Sequence, residues 1–419
     1  MTAGTRVPGL RVQRLSPEAW RTEAASDSPP LGGLAYGGMA DSSARAPDVV
    51  AARRLDAGSV RIDAWYGAAP LATGRCGDVR WQHDGHWLFG AIDLDEAQRG
   101  HSLAESTERA YRDIFATLRH TGCLHLLRLW NYVPGINGQS GGMERYRQFN
   151  IARQQAFLDA GQRAFEGAPA ACALGTREGP FSVRFLAGRR APLALENPRQ
   201  VPAYRYPGAY GPRSPSFSRA ALVDAGAGRS ALLISGTASI VGHASRHLGD
   251  VEAQVRETLV NLQAVLDAAH ARGSARFALP ALDCTVYVRR ADDAPRVRAV
   301  IEAVLGTDSR AARSAVCLEA DICRADLLVE IEAHAFAVGV PHATDAPGAK
   351  TSRAVGRTER AAQATATPQV TQVTQVTQVT EATQPQVLHA ARVLPAPYAA
   401  AALPSSELDQ AVGSREVPA

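Results

Sequence analysis

In Leu327-Leu328-Val329-Glu330-Ile331-Glu332-Ala333 two carboxylates stand two residues apart inside an apolar run. The β-branched Val329 and Ile331 favour a strand, which places Glu330 and Glu332 on one face and the two aliphatic side chains on the other. The acids then share one wall of a cavity or interface. An ionised carboxylate is costly to bury without a partner, so such a site either recruits a cation or raises the pKa until the acid stays protonated near neutrality. A protonated carboxylic acid in a dry pocket is a general acid.

Three further clusters have chemistry-bearing side chains. If Glu144-Arg145-Tyr146-Arg147-Gln148-Phe149-Asn150-Ile151-Ala152-Arg153 is helical, Tyr146, Asn150 and Arg153 share one face at spacings of four and three. That face suits an oxygen-rich anion, and the plainer reading is a solvated helix face. The stretch from Tyr204 to Phe217 is dense in Pro and Gly, an irregular loop that can hold Tyr210 and Arg213 over a pocket or form a surface turn. Ser235-Gly236-Thr237-Ala238-Ser239 ends an apolar strand, and Gly236 would let a ligand ring approach the backbone, where amides or hydroxyls can bind it. Its glycine pattern is neither a phosphate loop nor a G-x-S-x-G elbow. His243 and His247 stand four apart, but the glycines beside them make a poor metal scaffold.

A weak internal repeat positions these clusters. In its first copy Trp87-Leu88-Phe89-Gly90 predicts a strand and turn, Glu105 to Leu118 an amphipathic helix, and Leu126 to Val133 a returning strand. In its second copy Ala231 to Gly236 is the strand, Val251 to Ala268 the helix, and Asp283 to Val288 the returning strand. The prediction is an α+β fold in which two similar mixed sheets pack their helices outward or against one another. Ser, Gly, Pro and Ala dominate from Ala24 to Pro47, which suggests an irregular entry. After about His342 a Gln-Val-Thr repeat and Ala/Pro-rich sequence predict a disordered tail.

The 419-residue chain is long enough for two or three domains. Its 45 basic and 41 acidic residues are spread without a dense Lys/Arg block, which argues against a nucleic-acid partner. Arg far outnumbers Lys, providing planar guanidinium groups suited to carboxylate ligands. The six cysteines include no C-x-x-C pair, so neither a disulfide framework nor a zinc site is expected. Met1 to Val12 lacks an apolar signal core and no later stretch is long enough to span a membrane. The expected setting is cytoplasmic, with no membrane partner.

Taken together, these stretches resemble the chorismatase family, whose fold is related to the RidA/YjgF proteins. The resemblance is carried by Arg128-Leu129-Trp130-Asn131-Tyr132-Val133-Pro134, Glu144 to Asn150, Asn197-Pro198-Arg199-Gln200, Tyr210 to Phe217, and Ala320-Asp321-Ile322-Cys323-Arg324-Ala325-Asp326 running on to Glu332. Ile234-Ser235-Gly236 with Glu257-Thr258-Leu259-Val260-Asn261-Leu262 resembles a RidA-type module by itself. The implied organisation is a partly irregular segment over 1–50, one RidA-like module over 51–200, a catalytic RidA-like module over 201–342 and a disordered tail over 343–419.

The resemblance implies chorismate as substrate, with its enolpyruvyl ether cleaved to release pyruvate. It makes Glu330 the catalytic acid and Glu332 a supporting acid or ion-pair partner. Because chorismate is a dianion, Arg213 and Arg153 are the candidates for gripping its carboxylates. Tyr210, Tyr146, Asn150, Ser235, Gly236 and Cys323 complete the expected binding set. In that family the hydrolytic branch carries Ala at the positions of Gly236 and Cys323, and the aromatising branch carries Gly and Cys. A hydroxybenzoate synthase is therefore expected, with 3-hydroxybenzoate ahead of 4-hydroxybenzoate. The plainer readings are a turn glycine and a small buried thiol.

Competing functions are a chorismate hydrolase forming the dihydroxycyclohexadienoate, a RidA-like enamine or imine hydrolase, and a non-catalytic ligand-binding protein. The long loop and the Tyr146 to Arg153 cluster exceed what a minimal RidA module needs. No cofactor and no metal is expected. Monomer and homotrimer are both open, since related modules place sites at subunit contacts and a two-module chain can form such a contact internally.

Overall fold

Each copy of the repeat folds into the same piece of structure. The computed structural model describes residues 9–342 apart from 40–42, 44, 57 and 69, so the tail expected over 343–419 lies outside the described residues. In the first copy Trp87–Leu94, the helix Leu103–Thr121 and the strand His125–Pro134 form where the hydrophobic period places them. Ser102 and Glu105 cap that helix reciprocally, and Gly122 ends it in the left-handed region at φ 71°. Phe181–Gly188 inserts antiparallel between Trp87–Leu94 and His125–Pro134, and Ala170–Thr176 runs parallel beyond.

The second copy follows the same plan. Val329–Val338 lies antiparallel between Arg229–Ala238 and Asp283–Val288, Val316–Glu319 runs parallel beyond, and Val251–His270 is the helix. Each copy contributes to one seven-stranded sheet.

Side-chain alternation then decides the layers. Leu88 and Ile92 pack beneath Leu103–Thr121 and Arg145–Asp159 with Ile114 and Phe149, whereas Trp87 and Phe89 meet Val223, Leu233 and Tyr287 of the other sheet. In the second sheet Leu232, Ile234 and Ile331 pack beneath Val251–His270 through Val255, Leu259 and Leu262. The stack is helix, sheet, sheet, helix, with the helices outward. Both faces of each sheet are apolar, and sheet-on-sheet packing covers the inner ones.

The repeats also exchange edges: Asp321–Ile322 closes the first sheet and Arg53–Arg54 closes the second. Pairing of this kind removes exposed strand edges. Leu193–Leu195 already pairs with Ala220–Gly226, so the chain changes sheets before residue 200. No helix among the described residues is long and apolar enough to cross a membrane.

The N-terminal segment differs from expectation. Arg11–Leu15, the helix Pro17–Ala24, Gly32–Tyr36 and Asp48–Val50 join Arg61–Tyr66 in a four-stranded sheet with its helix, and Gly32–Tyr36 is buried throughout. Gly32 and Gly33, which suggested a loop, are packing slots. A Cβ at Gly32 would lie 2.2 Å from the Phe89 ring, and one at Gly33 would lie 2.5 Å from that of Trp20. Gly32→Ala is therefore expected to destabilise the fold by about 1–3 kcal/mol through overpacking. Gly38→Ala, whose new methyl meets nothing within 4 Å, is the matched control, and urea unfolding of both variants checks the difference.

Candidate active site

The apolar run around the paired acids forms the strand Val329–Val338. Val329 and Ile331 enter the core beneath the helices, while Glu330 and Glu332 face the space between the sheets, each only 4% exposed. Glu330 stands opposite Tyr287 on one neighbouring strand and Ala238 on the other. Between Ile234 and Thr237 the register slips, leaving a bulge at Ser235 and Gly236. That bulge creates the acid's seat. A Cβ on Gly236 would fall 1.8 Å from Glu330 Oε1 and 3.2 Å from Cys172 Cβ, so only glycine admits this carboxyl position.

Glu330 borders a cavity of about 410 Å³. The helix Arg145–Asp159 presents Tyr146, Asn150 and Arg153 to it, as the spacing predicted. The irregular loop contributes Tyr206, Tyr210 and Phe217, and Cys323 with Arg324 follow the exchanged edge strand. Cys172 and Gly236 line the acid's end. The walls are held by side chains already partnered within the protein. Arg153 donates through Nε to the Tyr111 hydroxyl at 2.7 Å and through Nη1 to the Ser216 carbonyl. Tyr111 donates to Asn131 Oδ1 at 2.5 Å, and Asn131 Nδ2 donates to the Cys172 carbonyl at 2.8 Å. The Tyr210 hydroxyl donates to the His243 carbonyl at 2.7 Å, and Arg324 lies 4.0 Å from the centre of the Tyr210 ring.

Electrostatics set the protonation states. Burial first, and then the charge of Glu332, push Glu330 up to about 8, while Arg128, Arg219 and Arg289 pull in the opposite direction. The acid is therefore predominantly neutral at pH 7. Glu332 sits behind it, outside the main cavity. It is paired with the buried Arg128 of the first sheet and accepts a hydrogen bond from the Tyr287 hydroxyl at 3.0 Å. The carboxylate of that ion pair stands beside Glu330 and discourages a second negative charge there. Cys323 is pushed up to about 12, chiefly by burial and then by Glu330, so it presents a thiol. Burial likewise raises the Tyr146 hydroxyl well above its ordinary value.

Two expected contacts fall elsewhere. Arg213 is exposed, donates to Gln154 Oε1 at 3.0 Å and does not line the cavity. The guanidinium groups that do are Arg153, Arg219, Arg324 and Arg147, because the loop turns Arg213 outward and the chain re-enters at Arg219. Arg219 donates to the Tyr206 hydroxyl at 2.7 Å and the Val201 carbonyl at 3.0 Å. Ser235 is fully buried and also absent from the lining. Its hydroxyl donates to the Ser218 carbonyl at 2.6 Å and accepts from the Ala171 amide at 2.9 Å, fastening the bulge to the first sheet. His247 lies 3.2 Å from Glu257, and the Tyr210 hydroxyl lies beside His243, so the two histidines serve separate contacts.

Sequence reasoning missed Arg219, Arg324, Cys172 and Tyr206. Arg324 adjoins Cys323 in a stretch already singled out. Tyr206 lies in the irregular loop singled out from Tyr204 to Phe217, whereas Arg219 and Cys172 had no periodic or motif signal.

A chain that buries a neutral carboxyl at the end of a cavity between two sheets has the make-up of an acid-catalysing enzyme. Comparison with known proteins makes this specific. The family model described as chorismatase FkbO/Hyg5-like, N-terminal, matches residues 63–187, and that described as endoribonuclease L-PSP matches residues 216–337. A Streptomyces hygroscopicus protein named 3-hydroxybenzoate synthase is 38% identical over 280 residues, covering 64% of this chain and 80% of the relative. A Streptomyces rapamycinicus chorismatase is 40% identical over 279 residues with the same coverage. A solved chorismatase structure superposes with a TM-score of 0.68 at 30% identity, covering 79% of this chain and 99% of the other. The chain belongs to the chorismatase family.

Removing Arg128 would leave the buried Glu332 without its cation. Arg128→Met is expected to cost about 3–5 kcal/mol of stability, and Arg128→Met with Glu332→Leu distinctly less, because the uncompensated charge is then gone. Denaturant unfolding of the two variants checks this ordering.

Proposed function

We propose that this enzyme cleaves the enolpyruvyl ether of chorismate to pyruvate and a hydroxybenzoate, chiefly 3-hydroxybenzoate, with Glu330 as the general acid. The observation that carries the proposal is a neutral carboxyl, seated against Gly236, at the end of a cavity furnished with arginines and phenols. Names of relatives at about 40% identity point to the same chemistry.

Glu330 delivers its proton to the terminal methylene carbon of the enol ether, and the ether oxygen shares the resulting positive charge as an oxocarbenium-like centre. The carboxylate left behind at 330 then faces that cation, which stabilises it. From there the ring hydroxyl of the substrate competes with water for the cationic carbon. Capture by the ring hydroxyl, whose proton is lost, closes a cyclic ketal. One ring C–O bond then breaks as the other oxygen-bearing ring carbon loses its hydrogen, and the resulting aryl hemiketal collapses to pyruvate and hydroxybenzoate without net consumption of water. Capture by water consumes one molecule and releases pyruvate with the dihydroxycyclohexadienoate.

Arg153, Arg219 and Arg324 are the cations placed to hold the two carboxylates. Tyr146, Asn150 and Tyr210 supply polar edges. Tyr146 and Cys323 stay protonated near neutral pH and add no competing negative charge.

Gly236 acts on the branch point through the acid itself. An alanine methyl there would displace the Glu330 carboxyl and not merely crowd the ring. The product ratio thus depends on where the proton donor, and then its carboxylate, sits relative to the cation.

Two sets of outcomes follow from these roles, one for the acid and one for the branch point. Glu330→Gln is expected to lower pyruvate release from chorismate by about 10³-fold. In the unmodified enzyme the rate falls as pH rises through about 8, because the acid must be protonated to act. Glu332→Gln moves this alkaline limb to lower pH, since the repelling charge is removed and Arg128 is freed to favour the Glu330 anion. An alkaline limb that stays in place excludes coupling between the two acids. Second, Gly236→Ala with Cys323→Ala is expected to shift products toward the dihydroxycyclohexadienoate, resolved from both hydroxybenzoates by chromatography. An unchanged product mixture refutes their role in branching. Intact chorismate together with turnover of amino-acid-derived imines would instead assign the enzyme to the imine-hydrolase class.

A further inference from the structure

A second cleft, also of about 410 Å³, lies between the small N-terminal sheet and the helical side of the second large sheet. It shares no lining residue with the Glu330 cavity. Its lining includes Arg14, Arg54, Arg61, Arg298, Arg310 and Arg313, opposed by only two carboxylates, Asp56 and Asp283. We infer that this cleft is a binding site for a small multivalent oxyanion of the phosphate or polycarboxylate type.

The six guanidinium groups divide into a fixed set and an open set. Arg14 grips the buried Asp63 through Nε at 2.6 Å and Nη2 at 2.7 Å, and its Nη1 donates to backbone carbonyls of Cys284 and Ser314. Arg310 holds Asp283 through two nitrogens at 2.9 and 2.7 Å, and Arg54 holds Asp56 in the same forked way. These pairs make a rigid base and use up all three nearby carboxylates.

The open set has much less. Arg61 donates once, to Ser59 Oγ at 3.2 Å. Arg298 stands 3.7 Å from Glu302, beyond hydrogen-bond distance, and otherwise meets only the neutral thiol of Cys317. Arg313 is exposed, and its side chain has neither ion pair nor hydrogen bond among the described residues. Against Asp56, Asp283 and Asp63 the cleft keeps three positive charges in excess, or two when Glu302 is counted. That local excess is comparable to the whole chain's net charge of +4.

A lysine cluster could relieve such repulsion by losing protons, but guanidinium groups stay charged at any physiological pH. Relief must come from a counter-ion. Convergent planar donors on a fixed base select an oxyanion able to accept several charge-assisted hydrogen bonds over a monovalent halide. The Ser16 and Ser314 side of the cleft adds neutral polar lining of the same character.

The test is isothermal titration of the full chain with inorganic phosphate and, separately, with citrate, at constant ionic strength set by chloride. Saturable binding of at least one of them, at one site per chain, is expected. Whichever binds identifies phosphate or carboxylate as the preferred group. Arg298→Ala with Arg313→Ala should weaken that binding by at least about tenfold, the loss expected when charge-assisted donors are removed. Glu330→Gln should bind as the unmodified chain does, which separates this site from the proposed catalytic one. If the alanine pair fails to fold, Arg313→Glu alone, on an exposed side chain, provides the same comparison. Absence of saturable binding by both anions, or binding that the cleft variants leave unchanged, overturns the inference.

Discussion

The structure depends on keeping one carboxyl uncharged between two sheets. Glu330 is held neutral by burial and by the negative charge of Glu332 behind it, and its carboxyl sits where a side chain at Gly236 would collide with it. Each of these has its own support. Burial comes from sheet-on-sheet packing, and Arg128 and Tyr287 hold the Glu332 carboxylate in place. The seat comes from the bulge that Ser235 fastens to the first sheet. A buried ion pair contributes little to stability in itself, because desolvation offsets most of its attraction. Here its effect is on the neighbouring acid, which it keeps ready to give up a proton.

Two copies of one strand plan have divided the work. Val329–Val338 carries the acid in the second sheet. Phe181–Gly188, which holds the corresponding place in the first, carries Arg184, and that guanidinium is tied to Asp93 and Asp48. The first copy instead supplies the helix with Tyr146, Asn150 and Arg153, together with Cys172 on the cavity floor. A site at the contact of two repeats within one chain needs no second subunit to complete the walls described here.

Much of this was legible because it rests on periodicity. Spacing of two placed Glu330 and Glu332 together, spacings of four and three placed Tyr146, Asn150 and Arg153 on one helix face, and the repeat anticipated two mixed sheets. What escaped depends on three-dimensional closure. No local pattern distinguishes Arg213, which turns outward, from Arg219, which turns in, since the irregular loop between them fixes both directions. Gly32 and Gly33 looked like loop residues, although their missing side chains admit Phe89 and Trp20 to a buried sheet. Ser235 looked like a ligand contact because it sits beside Gly236, yet a bulge aims neighbouring side chains differently from a regular strand. The slip in register that created the bulge is visible only in the pairing of Arg229–Ala238 with Val329–Val338.

The central claim is that Glu330 is a neutral acid at the pH where the enzyme works. Difference infrared spectroscopy, with Glu330→Gln as the reference, reads this directly. The account predicts a protonated carboxylic-acid carbonyl band that persists through neutrality and converts to carboxylate bands near pH 8. Carboxylate bands already complete at pH 6, well below that transition, would contradict it.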